Sequence, residues 1–293
     1  MSEDSFHSIT VGIIIINVSN NELMLGEKKL DQNDMNILLE HLPFTTNAID
    51  SICRYSERTE VFKQRVLGKD AYTIEFKSEY NPHIWYSPIL WLIPTSDNLN
   101  EVEMMLRSSM KLTASFIAMA PVNSACASIV IPGIKIYREK LLQKLTNTRN
   151  TVNSRFQIRR LDESDAEQSI ALSSTVEPNS IMHDPLTAEK LFLRERETYG
   201  IYFDNTLVTR GSIMANVRNY SSVGGFVTHP DYRKMGFASA LVSYICSIVQ
   251  DRAQIPFLTV REDNFAAISL YSKLGFEFSN ELLFFDYNSQ VVP

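Results

Sequence analysis

One short segment constrains this chain more than any other: Gly224-Gly225-Phe226-Val227-Thr228-His229-Pro230-Asp231-Tyr232-Arg233-Lys234-Met235-Gly236-Phe237-Ala238. The chain has only 10 glycines, and three of them fall between positions 224 and 236. That concentration predicts tight turns or a close approach of another group to the backbone. Val223 to Thr228 reads as a strand stopped by Pro230. Gly236 to Gln250 reads as a helix with Leu241, Ile245, Ile248 and Val249 on its buried side. A strand, a basic turn and a helix in that order suit a phosphate group. The first N–H groups of a helix lack intrahelical partners, and the helix dipole adds positive potential there. Arg233 and Lys234 would add charge-assisted contacts. On spacing alone, an ordinary surface turn with a solvated basic pair fits equally well.

The surrounding sequence reads as one mixed α/β unit. Phe156 to Leu161 is expected to be a strand, and Asp162 or Ser164 to cap a helix through Leu172. Leu186 to Thr198 has the pattern of a charged amphipathic helix. Tyr199 to Phe203 and Leu207 to Val217 read as strands joined by an Asp204-Asn205 turn. After the segment above, Phe257 to Val260 is a strand and Asn264 to Leu274 a helix. Phe276 to Phe278 and Leu282 to Tyr287 are expected as two closing strands. The second informative segment is Asn264-Phe265-Ala266-Ala267-Ile268-Ser269-Leu270-Tyr271-Ser272-Lys273-Leu274-Gly275-Phe276.

Together the two segments resemble the GNAT N-acetyltransferase superfamily. Its first signature, Arg/Gln-x-x-Gly-x-Gly/Ala, is matched by Arg233, Gly236 and Ala238. Its second, Asn-x-x-Ala-x-x-Leu-Tyr-x-Lys-x-Gly-Phe, is matched by Asn264, Ala267, Leu270, Tyr271, Lys273, Gly275 and Phe276. The Thr-His-Pro-Asp-Tyr-Arg lead-in looks like the branch that holds glycine N-acyltransferase relatives. The resemblance covers roughly residues 153–289, a little under half of the chain.

The resemblance implies acetyl-CoA as cofactor and a primary amine as acceptor, whether a small molecule, an amino acid or a peptide. It implies that Arg233, Lys234, Met235, Gly236, Phe237 and Ala238 bind the pyrophosphate. Phe226, Val227 and Thr228 would hydrogen-bond the pantetheine arm through their backbone, as an added strand would. A backbone N–H of that strand would also polarise the thioester carbonyl. Tyr271 stands where a tyrosine would protonate the departing sulfur, since a phenol donates a proton yet stays neutral at pH 7. Its bland alternative is a helix aromatic packed on Leu274 and Phe276. Asn264 is expected to cap the helix that carries Tyr271, besides any cofactor contact.

The base is harder to find. Leu207 to Thr228 contains no Asp or Glu, so a glutamate on the central strands is missing. His183, Glu177 and His229 are the candidates, alone or through water, with His229 expected to be structural. Cys246 lies mid-helix among apolar residues and reads as core rather than nucleophile. A second function class therefore stands beside the enzyme: a catalytically silent acyl-CoA-binding module with an N-terminal interaction domain.

At 293 residues the chain is long enough for two domains. The polar stretch from Thr146 to Ser154 suggests a linker, giving domains at 1–150 and 151–293, with a short charged helical pattern just before it from Glu139. The N-terminal half reads as mixed α/β, with strands at Ile9 to Val18, Tyr72 to Phe76 and Trp85 to Ile93. Helices are expected at Asp31 to Leu42 and Asn98 to Met110. Trp85 and Trp91 read as core anchors. No metal cluster or phosphate loop is evident there. That half could select substrate, be a degenerate acetyltransferase-like copy, or serve oligomerisation, for example in a homodimer. A net charge of -6 without a basic run argues against nucleic acid or anionic membrane as partner. Leu112 to Ile134 is uncharged, but Pro121, Asn123, Pro132 and Gly133 argue against a membrane helix. Three scattered cysteines and an acidic N-terminus point to a reducing cytoplasm.

Overall fold

The computed structural model describes residues 12–19, 22–54, 57, 59–66, 69–76, 89–94, 99–112, 115–121, 131–146, 156–176 and 184–288. The N-terminal half opens with β1 (Gly12–Ser19) and β2 (Glu22–Lys29), followed by α1 (Gln32–Glu40) and α2 (Thr46–Arg54). It continues through β3 (Thr59–Val66), β4 (Lys69–Phe76), β5 (Ile89–Ile93), α3 (Leu99–Leu112), β6 (Ser115–Pro121) and β7 (Ile134–Gln143). The C-terminal half runs β8 (Ile158–Arg160), α4 (Ala166–Ser174), α5 (Pro185–Glu195), β9 (Glu197–Phe203), β10 (Thr206–Val217) and β11 (Tyr220–Thr228). It closes with α6 (Phe237–Asp251), β12 (Ile255–Arg261), α7 (Phe265–Lys273) and β13 (Glu277–Asn288). The fold is mixed α/β, as expected. The series two helices, three strands, helix, strand occurs in both halves.

Local chemistry explains most boundaries. Asp31 caps α1 in a reciprocal capping box with Asp34, and Pro43 follows shortly after. Asp162 makes a second capping box with Asp165 ahead of α4. Asp204 and Asn205 both adopt positive φ, 48° and 61°, as a two-residue hairpin with a primed turn requires. The buried stripe of α6 holds Leu241, Ile245, Cys246 and Val249. Each such side chain contributes about 1.5–3 kcal/mol of burial. Trp91 is buried, as expected, while Trp85, Glu177 and His183 lie outside the described residues. No helix is long and apolar enough to cross a membrane, among the described residues.

Three expectations fail. Glu139 to Gln143 is strand, not helix, because β7 is hydrogen-bonded on both edges, to β12 and to β13. Phe276 to Tyr287 is not two strands; Glu277–Asn288 is continuous, with a register shift between Phe278 and Asn280. Thr198 belongs to β9 rather than to the helix before it, where α5 stops at Glu195.

The described strands form a 13-stranded sheet ordered β2-β1-β3-β4-β5-β6-β13-β7-β12-β11-β10-β9-β8. At its centre the halves exchange strands. β13, from the end of the chain, lies between β6 and β7, while β7 lies between β13 and β12. The last strand thus completes the N-terminal half's sheet, and an N-terminal strand completes the other. One core cluster spans the seam, joining Leu38, Ile49 and Ile52 of α1 and α2 to Val217, Phe257 and Leu282. Asp50 on α2, itself buried, accepts from Arg196 Nη1 at 2.9 Å across the seam.

Candidate active site

The site begins with a bulge. Arg210 pairs with Val227 and Ser212 with Gly224, so Gly211 on β10 faces both Gly225 and Phe226 on β11. Gly225 takes a φ of +64°, a backbone that glycine adopts without strain. The bulge turns Phe226 over Gly211, and its ring packs with the core that lies under α6 and α7.

β11 and β12 are parallel neighbours, but their pairing covers only Tyr220 to Ser222 against Ile255 to Phe257. Beyond that point β11 runs on to Thr228 and β12 to Arg261 without pairing. The two strands part, and a wedge opens between them. The β11 edge facing this wedge offers backbone groups that a neighbouring strand does not use, a template for an extended ligand.

The turn sits at the end of β11. Pro230 to Tyr232 form one turn of 3-10 helix, capped by His229, whose Nδ1 accepts from the Asp231 amide at 3.3 Å. His229 also meets Tyr232 edge-on at 5.5 Å between ring centres. These contacts give it the structural role expected of it. Arg233 Nε reaches the Thr228 carbonyl at 3.4 Å. Lys234 and Gly236 adopt positive φ, 63° and 91°. Beneath the turn, Phe237 packs on Phe156, Phe203 and Tyr232 at 4.5, 5.9 and 6.2 Å between ring centres. Thr228 is tied down by Thr209, whose hydroxyl bonds both the Thr228 hydroxyl and the Val227 carbonyl at 2.8 Å.

The α6 N-terminus differs from those of α1, α5 and α7. Asp31, Asp184 and Asn264 cap those three helices with side-chain hydrogen bonds, whereas Gly236 offers α6 none. Its leading N–H groups therefore receive no acceptor from the cap residue, and among the described residues a Cβ at Gly236 would meet only Phe156, at 3.9 Å. An exposed basic pair, an uncapped helix end and a side-chain-free approach are what an anionic phosphate requires. The residues fit that group.

Tyr271 lies on α7 across from β11. It is buried between Phe226 and Phe276, with ring centres 6.4 and 5.6 Å away. Burial, with a smaller contribution from Cys246, pushes its hydroxyl up to about 12. Burial likewise pushes the Cys246 thiol up to about 12, so it stays an un-ionised core residue. Asn264 caps α7 by accepting from the Ala267 amide at 3.2 Å. At the other end of α7, the buried Lys144, just past β7, donates to the Leu274 carbonyl. The helix carrying Tyr271 is thus held partly from the N-terminal half.

Two features escape a reading of the sequence. Arg210 on β10 and Glu189 on α5 form a fully buried ion pair at 2.5 Å, joined by Ser169 and Ser173 of α4. Its signal is a single charged residue within an otherwise uncharged strand. The second is Glu139 on β7, opposite Arg261 of β12. Burial raises its carboxyl above the ordinary value, while the Thr259 hydroxyl and Arg261 pull it down.

Residues 198–284 match the family model described as FR47-like protein, a span from β9 into β13. Among solved structures, a putative GNAT-family acetyltransferase from Novosphingobium aromaticivorans is 20% identical, the match covering 74% of this chain and 87% of that one at a TM-score of 0.52. A GCN5-related N-acetyltransferase from Kribbella flavida is 14% identical over 82% of this chain and 93% of that one, with a TM-score of 0.56. A GCN5-related N-acetyltransferase-like protein from Streptococcus suis is 14% identical over 87% and 98%, at 0.54. No curated protein matches the chain. The fold is of the GNAT acetyltransferase kind, and the likeness extends over both halves.

Proposed function

We propose that this chain is an acyl-CoA-dependent N-acyltransferase that moves an acetyl group from acetyl-CoA to a primary amine. The observation that carries this reading is the wedge between β11 and β12, with the uncapped N-terminus of α6 and its basic turn at the end of β11. A phosphate-bearing ligand with an extended arm fits a helix end followed by an open strand edge. The Thr228-to-Arg233 lead-in supports a place near the glycine N-acyltransferase relatives.

When bound, acetyl-CoA supplies an electrophilic thioester carbonyl and a thiolate leaving group. In this reading Arg233, Lys234 and the amides of Met235 to Ala238 hold the pyrophosphate. Phe226, Val227 and Thr228 align the pantetheine arm through their backbone, and an amide of the bulged strand donates to the carbonyl oxygen as charge builds there. Tyr271 keeps its proton at all ordinary pH because its hydroxyl sits in an apolar site. It is therefore a donor for the departing sulfur, on the α6 and α7 side of the sheet. The sequence of residues 94–98, between β5 and α3, has neither the glycine nor the basic pair that precede α6.

The test is calorimetric titration of the folded chain with acetyl-CoA in the absence of acceptor. Saturation near one equivalent supports the reading and justifies a screen of primary amines. No heat from folded protein would sink it.

A further inference from the structure

We propose that Glu139, carried into the C-terminal half's sheet on β7, is the general base that takes the acceptor amine's proton through one water. This rests on the transferase reading above. Successive residues of a strand face opposite sides of the sheet. Leu141 joins the core cluster beneath α1 and α2, together with Phe257, and Tyr137 packs against it. Glu139 lies between Tyr137 and Leu141 on that same face. Thr259 and Arg261 share the face through the alternation of β12, and both are exposed. Leu142, Leu258, Val260 and Tyr271 belong to the cluster on the opposite face. The donor for the leaving group and Glu139 therefore stand on opposite faces.

The register places Glu139 beside the wedge. β12 has parted from β11 by Thr259 but stays paired to β7, with Thr259 opposite Leu141 and Arg261 opposite Glu139. Only the single strand β12 stands between Glu139 and the opening: β7 lies about 5 Å from β12 in the sheet direction, and the wedge begins on the far side of β12, a gap that a water bridges. Val227 packs into the cluster formed with α4 and α5, on the side opposite Phe226. An amine arriving on that side meets the β11 bulge from the face on which Glu139 lies.

Two other carboxylates among the described residues, Glu189 and Asp263, are poor bases. Glu189 is buried and clamped by Arg210. Asp263 is paired with Arg261 at 2.7 Å, which holds its carboxyl below the ordinary value. Glu139 is half-buried, touched by solvent, and raised by its burial. The charged and titratable groups around it are Arg261 on β12, Tyr137 on its own strand, and Asp263 and Asp286 through those two.

The acceptor binds as an ammonium, and Glu139 takes the proton that frees the lone pair. The N–C bond forms, the C–S bond breaks, and Tyr271 gives its proton to sulfur. The second proton leaving nitrogen passes through water to restore Tyr271, and Glu139 returns its own to solvent. One proton is released per turnover.

The experiment measures acetyl-CoA binding by calorimetry and thiol release with a panel of primary amines across pH, for wild type, Glu139→Gln, Glu139→Asp and Thr259→Val. Glu139→Gln is expected to bind acetyl-CoA normally, to lose about 100-fold in kcat/KM, and to lose the acidic limb of its pH profile. Glu139→Asp should restore part of the rate. Thr259→Val removes a hydroxyl that holds the carboxyl down, so the acidic limb should move to higher pH. Active wild type with an unaltered limb in both Glu139→Gln and Thr259→Val would overturn the assignment of the base alone. Should Glu139→Gln fail to fold, an unmoved limb in Thr259→Val overturns it by itself. A wild-type chain that binds no acetyl-CoA, or releases no thiol with any amine, overturns the transferase reading and this base together.

Discussion

The ring of Phe226 lies across the backbone of Gly211, so that a Cβ at position 211 would come within 2.3 Å of the ring. That contact locks the β11 bulge, because Phe226 is the residue the extra position turns toward β10. Gly211→Ala must displace the ring, which has Tyr271 as a neighbour 6.4 Å away between centres. Overpacking of this kind costs about 1–3 kcal/mol. The variant is expected to melt earlier than wild type and to bind acetyl-CoA more weakly. An unchanged melting curve would mean that the ring moves freely and that the bulge is not rigid.

Arg233 is exposed at the turn, with Nε on the Thr228 carbonyl. Arg233→Glu puts a negative charge beside the proposed pyrophosphate, and calorimetry should show acetyl-CoA affinity falling at least about tenfold. Raising the salt should weaken wild-type binding as well. Unchanged affinity would remove the phosphate cradle from the argument.

Tyr271→Phe should lower kcat about 100-fold with little change in acetyl-CoA binding, since the hydroxyl is wanted only as the thiolate departs. The sign of the pH effect follows from burial. A hydroxyl pushed up to about 12 holds its proton below that pH, so this group gives no alkaline limb between pH 7 and 10. A steady-state pH profile that falls through that range and is flattened in Tyr271→Phe would contradict the assignment.

The parts of the site built from local sequence were legible, and the parts built across the seam were not. The α6 turn, the Asn264 cap and the Asp204-Asn205 hairpin depend on neighbours within a few residues. Glu139 to Leu145 reads Glu-Lys-Leu-Leu-Gln-Lys-Leu, all good helix formers at helical spacing. Yet Glu139 to Gln143 is strand, because β12 and β13, more than a hundred residues later, pair with both of its edges. Missing the strand meant missing Glu139 as a neighbour of the wedge. The role of Arg210 is hidden in the sequence for a related reason. Its partner Glu189 lies on a helix that the sequence shows only as charged and amphipathic.

Asp50 and Arg196 test how firmly the halves are joined. Asp50 is buried and accepts from Arg54 and Arg196, both at 2.9 Å, and Arg196 also donates to the Met214 carbonyl. Arg196→Met leaves the buried carboxylate short of a charged donor, a loss of roughly 1–3 kcal/mol. Thermal or denaturant unfolding should show one transition for wild type and an earlier one for the variant. Equal midpoints would assign the pair no role in stability.

The strand exchange makes the sharpest prediction about how the chain can be divided. A fragment of residues 150–293 keeps both segments that match the GNAT signatures, yet it lacks β7. Without β7, β12 loses its antiparallel neighbour over Phe257 to Arg261, and β13 loses both of its partners, β6 and β7. Unpaired apolar strands at a sheet edge invite aggregation. The Lys144 contact to the end of α7 is lost with them. The fragment is expected to be insoluble or to unfold without a cooperative transition, whereas addition of residues 115–146 in trans should recover part of the fold by supplying β6 and β7. A soluble fragment that melts cooperatively and binds acetyl-CoA like the full chain would show that the C-terminal half can close its sheet without the borrowed strand. The N-terminal half would then have no part in building the cofactor site.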